Sequence, residues 1–262
     1  VNGTEQDFES LKQSAIDFSN THVTSASQIL SIQAIGGELG IATEALDTFA
    51  TTVSNIDVAT DLNADEAATA LGQLANILDD LDESHMPAFS DSLVRLGNNG
   101  ASTESQIIDI AKRIGSMGSI IGMTTPDILA WASSIASTGQ NAESAGTAIS
   151  KTMSNIETAV AQGGDSLEAF ASVSQMSAED FKNAWDKDPT AVLKAFVEGL
   201  KGIEESGGSA DATLVDLGIT SVRQKQAVEG LMQTVDGLDD NLTMSRDAWS
   251  GVSDEWGDAG DA

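Results

Sequence analysis

From Asp65 to Leu81, apolar side chains recur at Ala67, Ala68, Leu71, Leu74, Ala75, Ile77, Leu78 and Leu81. Steps of three and four line one face of an α-helix, so the spacing predicts a helix there. The same face returns at Ile107, Ile110, Ala111 and Ile114, and again at Val192, Leu193, Phe196, Val197 and Leu200. No alternating stretch of useful strand length breaks the pattern. The chain reads as all-α.

Helix starts and stops are written in local chemistry. Thr125-Pro126-Asp127 offers a capping hydroxyl, a proline for the first turn and an acid beside the helix dipole. Asp188-Pro189-Thr190 repeats this with a carboxylate, and Ser177/Asp180, Thr103/Gln106 and Asp165/Glu168 have capping-box spacing. Gly36-Gly37, Gly139, Gly163-Gly164 and Gly207-Gly208 read as stops. The pattern predicts a compact array of about ten or more short to medium helices joined by Gly/Ser/Pro turns. No fixed-period repeat and no sustained heptad accompanies it. Ile107, Ile110, Ile114, Ile128, Leu129, Phe181, Leu193, Phe196 and Leu200 are the expected core, with Trp131 and Trp185 covered.

Two weak points divide the pattern, one at His85-Met86-Pro87 and one from Glu204 to Ser209. They suggest an N-terminal segment over 1–84 and a second region over 85–262, more simply one continuous helical body because neither stretch is a free linker. Val1 at the start and Asp261-Ala262 in mid-pattern at the end read as an excerpt of a longer protein.

Charge narrows the chemistry. Twelve Lys and Arg stand against 41 Asp and Glu, a formal charge of −29 in 262 residues. Phosphate-backbone binding draws on cations that release counterions, so nucleic-acid recognition is excluded as the main role. With 40% hydrophobic residues and 20% charged, the chain has enough apolar surface for a core. No cysteine is present, so there is no disulfide, thiolate site or cysteine nucleophile. Neither a signal peptide nor a membrane-length apolar run is visible.

The sequence presents no candidate site residues: catalytic none, cofactor none, metal none. His22 and His85 are far apart, and His85 beside Asp79, Asp80, Asp82 and Glu83 reads as a solvated helix end. Asp61, Asn63 and Asp65 mimic a calcium loop, but Glu66 and Gly72 occupy the positions needing Gly and Glu. Gly115-Ser116-Met117-Gly118 lacks a preceding strand and the Lys-Ser/Thr of a phosphate cradle, and reads as close helix packing. Trp131, Trp185, Trp249 and Trp256 read as core or interface anchors, Trp256 the one expected to be exposed.

The stretch LGNNGASTESQIIDIAKRIGSMGSIIGMTTPDILAWASSIASTGQNAESAGTAISKTM, from Leu96 to Met153, resembles the core region of phage tail tape measure proteins. The resemblance rests on Leu96–Asn99, Thr103–Ser105, Ala111–Gly115, Ala132–Ala136 and Ala145–Ala148. Met176–Leu200 and Leu217–Val228 resemble that family's next blocks in the same order, with a looser likeness over the first eighty or so residues. The family often has paired glycines before the Thr-Ala near Ala145–Ala148, where this chain has Gly146 alone.

The resemblance implies a structural, non-enzymatic virion protein of a long-tailed phage or prophage. Such a protein sets tail length as a molecular ruler and leaves the tail lumen before DNA. Implied partners are the tail tube protein, tail assembly chaperones and tail-tip or baseplate hub proteins, with a homo-oligomer in the lumen. Implied locations are the virion, in the tail lumen or tip, and the host cytoplasm during assembly. The alternative is an ejected component forming a DNA conduit across the host envelope, with membrane contact only at ejection; the chain's negative charge opposes anionic lipid. Even as one unbroken helix, this chain would span only about 390 Å at ~1.5 Å per residue. Its caps and glycines fold it shorter still, so the pattern fits a compact domain attached to a ruler.

Overall fold

A computed structural model describes residues 4–251, and among them there is no strand. Fourteen α-helices and three short 3-10 turns follow one another. The first group is α1 (Glu5–Ser19), α2 (Ala26–Glu38), α3 (Leu46–Ala59) and α4 (Ala64–Ala75). Thr4, Ser25 and Asn63 open α1, α2 and α4 with complete capping boxes, each satisfying otherwise orphaned first-turn N–H groups.

The centre is built from α5 (Met86–Asn99), α6 (Glu104–Ile120), α7 (Thr125–Ala136) and α8 (Ala142–Gln162). Helix α6 lies against both α7 and α8. Every residue of α7 is buried, on all faces. That is possible because its sequence alternates apolar bulk with Ala and Ser, whose small side chains let neighbours close in. Then come α9 (Gly164–Val173), α10 (Ala178–Trp185), α11 (Pro189–Glu205), α12 (Ala210–Asp216), α13 (Val222–Thr234) and α14 (Leu238–Trp249). Helix α13 packs on α8, and α14 returns to the centre against α5 and α7.

One apolar cluster runs through these layers, from Ala15 to Met244. All nine residues expected in the core are buried, and so are Trp131 and Trp185. The small residues of α6 work as expected. A Cβ on Gly118 would come within 2.9 Å of Ile128, and one on Gly115 within 3.2 Å of Ile77.

Several local expectations are corrected. The helix expected over Asp65–Leu81 ends at Ala75. Asn76 stops it by donating its amide to the carbonyls of Gly72 and Leu39, at 2.9 and 2.8 Å, while Leu78 and Leu81 reach the core from a turn. Gly36-Gly37 do not stop α2, which continues to Glu38 and turns at Gly40, φ +90°. Gly36 serves packing instead, since a Cβ there would lie 2.8 Å from the Phe49 ring. Asp165 is a first-turn residue rather than a cap, because Gly163 and Gly164, both at positive φ, make the turn into α9. Thr125 does not cap α7 either; Thr124 occupies that position without a side-chain bond. The expected stops at Gly139, Gly163-Gly164 and Gly207 do carry positive φ. Trp256 lies outside the described residues.

Candidate functional site

Buried polar groups are where chemistry would reside, and the most enclosed acid among the described residues is Asp127, 5% exposed in the first turn of α7. Arg246 of α14 grips it with two bonds, Nε to Oδ1 at 2.7 Å and Nη2 to Oδ2 at 2.9 Å. The Thr190 hydroxyl, at the start of α11, donates to Oδ2 at 2.9 Å. Three helices therefore meet on one carboxylate. A forked, charge-assisted pair of this kind fixes orientation as well as adding energy. Around it, Ser92 Oγ donates to the Ser245 carbonyl at 3.0 Å, and Asn241 donates to Ser134 Oγ at 2.9 Å. These bonds lock α14 onto α5 and α7.

The cap of α7 comes from outside the helix. The Asp80 carboxylate accepts from the Thr125 N–H at 2.9 Å and from its hydroxyl. The acidic run is thus partly structural rather than a solvated helix end. Asp82 likewise caps the 3-10 turn Glu83–His85 and accepts from His85 Nδ1 at 2.9 Å. His85 stacks on Trp249, with ring centroids 5.1 Å apart, and stands at the entry to α5, not at a helix C-terminus. His22 stacks on Phe18 at 3.8 Å.

One carboxyl pair has divided properties. Glu104, 7% exposed, opens α6 with its carboxyl laid across α5 at Gly97, where any Cβ would collide with it. Burial pushes the Glu104 carboxyl above the usual range; contact with its own backbone opposes this, and the charge and hydrogen bond of Asp61 add to it. Burial pushes Asp61 up too. The Ser105 hydroxyl and N–H, at 2.7 and 3.0 Å, and the Thr103 hydroxyl outweigh it and hold Asp61 below its ordinary value. The opposite shifts make Glu104 the more readily protonated of the two and Asp61 the more readily ionised. Direct contact leaves no room for the gap of roughly 5 Å or more that a glycosidase couple needs. Ser105, not Glu104, lines the neighbouring cleft. The pair joins the α3–α4 turn to α6.

Its pH dependence has a definite sign. A carboxyl raised on folding contributes stability that is full below its ordinary value of 4.5 and is lost as pH rises through the folded value. Glu104→Gln keeps a donor toward Asp61 and cannot ionise. The variant should match the parent in acid and exceed it at neutral and alkaline pH, giving a flatter stability curve in denaturant titrations. A parallel curve would mean that folding does not raise the Glu104 carboxyl above its ordinary value.

The remaining sequence candidates do not converge. Asp61 is bound to Ser105, Asn63 caps α4, and Asp65 lines the cleft that Ser105 also borders, so the three do not share one ligand position. Among the described residues no group of three or more His, Asp or Glu is placed to hold a metal ion, and no helix is long and apolar enough to cross a membrane. A cleft of about 540 Å³ among Asn99, Ser137, Gln233, Thr234 and Asn241 has Asp240 as its one titratable group, so it offers no acid–base pair. Trp185 is anchored by its indole N–H to Glu157 at 2.8 Å.

The described residues form an acidic helical body whose buried polar groups bind helix to helix. The chain belongs to the phage-related minor tail protein family, whose pattern it matches over residues 12–218. It is thus a structural phage tail protein. No curated protein and no solved structure matches it.

Proposed function

We propose that this chain is the compact, non-measuring domain of a tape measure protein, attached to the ruler that sets tail length and released from the lumen before DNA. The observation that carries the reading is the length of its helices within a tail-protein family. The longest, α8, has 21 residues and so spans about 32 Å at ~1.5 Å per residue, in a chain folded back on itself at every turn. The blocks at Leu96–Met153, Met176–Leu200 and Leu217–Val228 support the same reading, since they fall on α5–α8, on α10–α11 and on α13 with the turn before it, in the tape measure order. In this role the domain works without catalysis. Its partners are the tail tube protein, the assembly chaperones and the tip or hub proteins, and copies assemble together in the lumen. The acidic surface keeps passing DNA from adhering.

Insertions decide it. Helical residues added between packed short helices, for example within 101–200, should abolish tail assembly. The same insertion in a long unbroken helix of the parent protein should lengthen tails by ~1.5 Å per residue, read from electron micrographs. Tails that lengthen in proportion to insertions within 101–200 would make this segment the ruler.

A further inference from the structure

Cations are scarce on this chain, 12 against 41 acids, yet four of them line two neighbouring clefts that share Thr147 and Lys151. A cleft of about 500 Å³ between α8 and α13 is lined by Ser144, Thr147, Lys151, Arg223 and Gln224, with Glu143 its one acid. Thr147 and Lys151 also line a second, shallower cleft of about 660 Å³ between α6 and α8, where Lys112, Arg113, Met117 and Ile120 lie. Lys112 has Asp109 at 3.3 Å. Among the described residues Lys151 and Arg223 have no acidic partner.

Two further features mark the first cleft as a place for negative charge. Helix α13 begins at Ser221 without a side-chain cap, so its first-turn N–H groups stand open beside Arg223. Gln224 is 5% exposed, lines the cleft, and has its side-chain nitrogen buried with no partner. Buried donors are ordinarily bonded, and an orphan beside two free cations indicates an absent acceptor. Arg113 Nε is a second buried donor without a partner.

We propose that the α6–α8–α13 groove binds an acidic peptide segment of a partner protein. One carboxylate group meets Lys151, Arg223, Gln224 and the α13 N-terminus. A second meets Arg113 and Lys112, and an apolar side chain rests on Met117 and on Ile120, itself 71% exposed. Two clefts that share Thr147 and Lys151, with an apolar end on one of them, call for a polypeptide, since a lone phosphate would fill the first cleft only. A nucleic acid would run past the groove onto a surface of net charge −29, within reach of repulsion at a Debye length of ~8–10 Å. The groove also offers no aromatic ring for a base to stack on. This inference does not depend on the tape measure reading.

The test is fluorescence anisotropy of a labelled Glu-Glu-Leu-Glu-Glu-Leu peptide with the full chain at low salt. Lys151→Glu/Arg223→Glu should weaken binding at least about tenfold, while Lys182→Glu/Lys187→Glu, an equal charge change on α10 and the turn after it, should leave it within about twofold. Added salt should weaken the parent's binding. The substituted groove residues are exposed, and thermal melts check that the fold persists. If the reversal variant unfolds, Lys151→Gln/Arg223→Gln with Lys182→Gln/Lys187→Gln makes the same comparison. No peptide binding at about 1 mM, equal loss in groove and control variants, or tighter binding of inorganic phosphate or a short single-stranded DNA would each overturn the proposal.

Discussion

Gly199→Ala should destabilise this fold by about 3 kcal/mol or more, the upper reach of overpacking costs. Gly199 lies in mid-α11, directly beneath the carbonyl of Val173, the last residue of α9. A Cβ there would overlap the Val173 carbonyl oxygen and stand 2.8 Å from its carbon. A side chain could rotate aside, but a backbone carbonyl moves only if the two helices part. The parting would also pull at Phe170 and Phe196, whose rings pack between the same helices at 5.4 Å. Gly202→Ala is the matched control, because nothing lies within 4 Å of its added Cβ. It should be neutral or stabilising by about 0.5–1 kcal/mol through helix propensity alone. Urea midpoints of the two variants measure the difference; a Gly199→Ala loss below about 0.5 kcal/mol would mean that α9 and α11 do not meet this closely.

Arg246→Met should cost about 3 kcal/mol, at the low end of the range for stripping a partner from a buried charge. The Asp127 carboxylate would keep only the Thr190 hydroxyl. The low end applies because the Arg246 side chain is 48% exposed, so water can enter where it stood. Arg246→Lys should lose less, about 1–2 kcal/mol, since an ammonium restores the charge without the fork. Asp127→Leu/Arg246→Met should recover most of the loss, because removing both partners leaves no stranded charge. A double variant no more stable than Arg246→Met would show that the pair contributes packing rather than charge compensation. Chemical denaturation of the three variants separates these outcomes.

Interactions closed within one turn were legible from the sequence. Thr103 and Gln106 form the capping box that their spacing indicates, and Asp188 accepts from the Ala191 N–H at 3.0 Å as its place before Pro189 suggests. The helical faces around Ile107–Ile114 and Val192–Leu200 were equally plain, because 3.6-residue periodicity is a property of neighbours in the chain. Half of the Ser177 cap departs from its expected form: the hydroxyl accepts from the Asp180 N–H at 3.1 Å, but the Asp180 carboxylate accepts from that hydroxyl at 2.7 Å instead of from the N-cap backbone. The order of small-residue blocks, also a linear property, pointed to a phage tail protein.

What only the folded chain decided is every contact whose partner is distant. The cap of α7 belongs to Asp80, 45 residues before Thr125, and Asp127 meets Arg246 across 119 residues. No spacing rule connects such residues, and in a chain with 41 acids any of several carboxylates could have been chosen. The full burial of α7 has the same origin. Its own sequence offers an amphipathic stripe, and the return of α14 from the far end covers the other side. Lys151 and Arg223, 72 positions apart, share a cleft only because α13 crosses α8. The sequence by itself determined which segments are helices and which faces are apolar, since both follow from neighbouring residues; tertiary structure decided which polar groups meet, since that depends on where the helices pack.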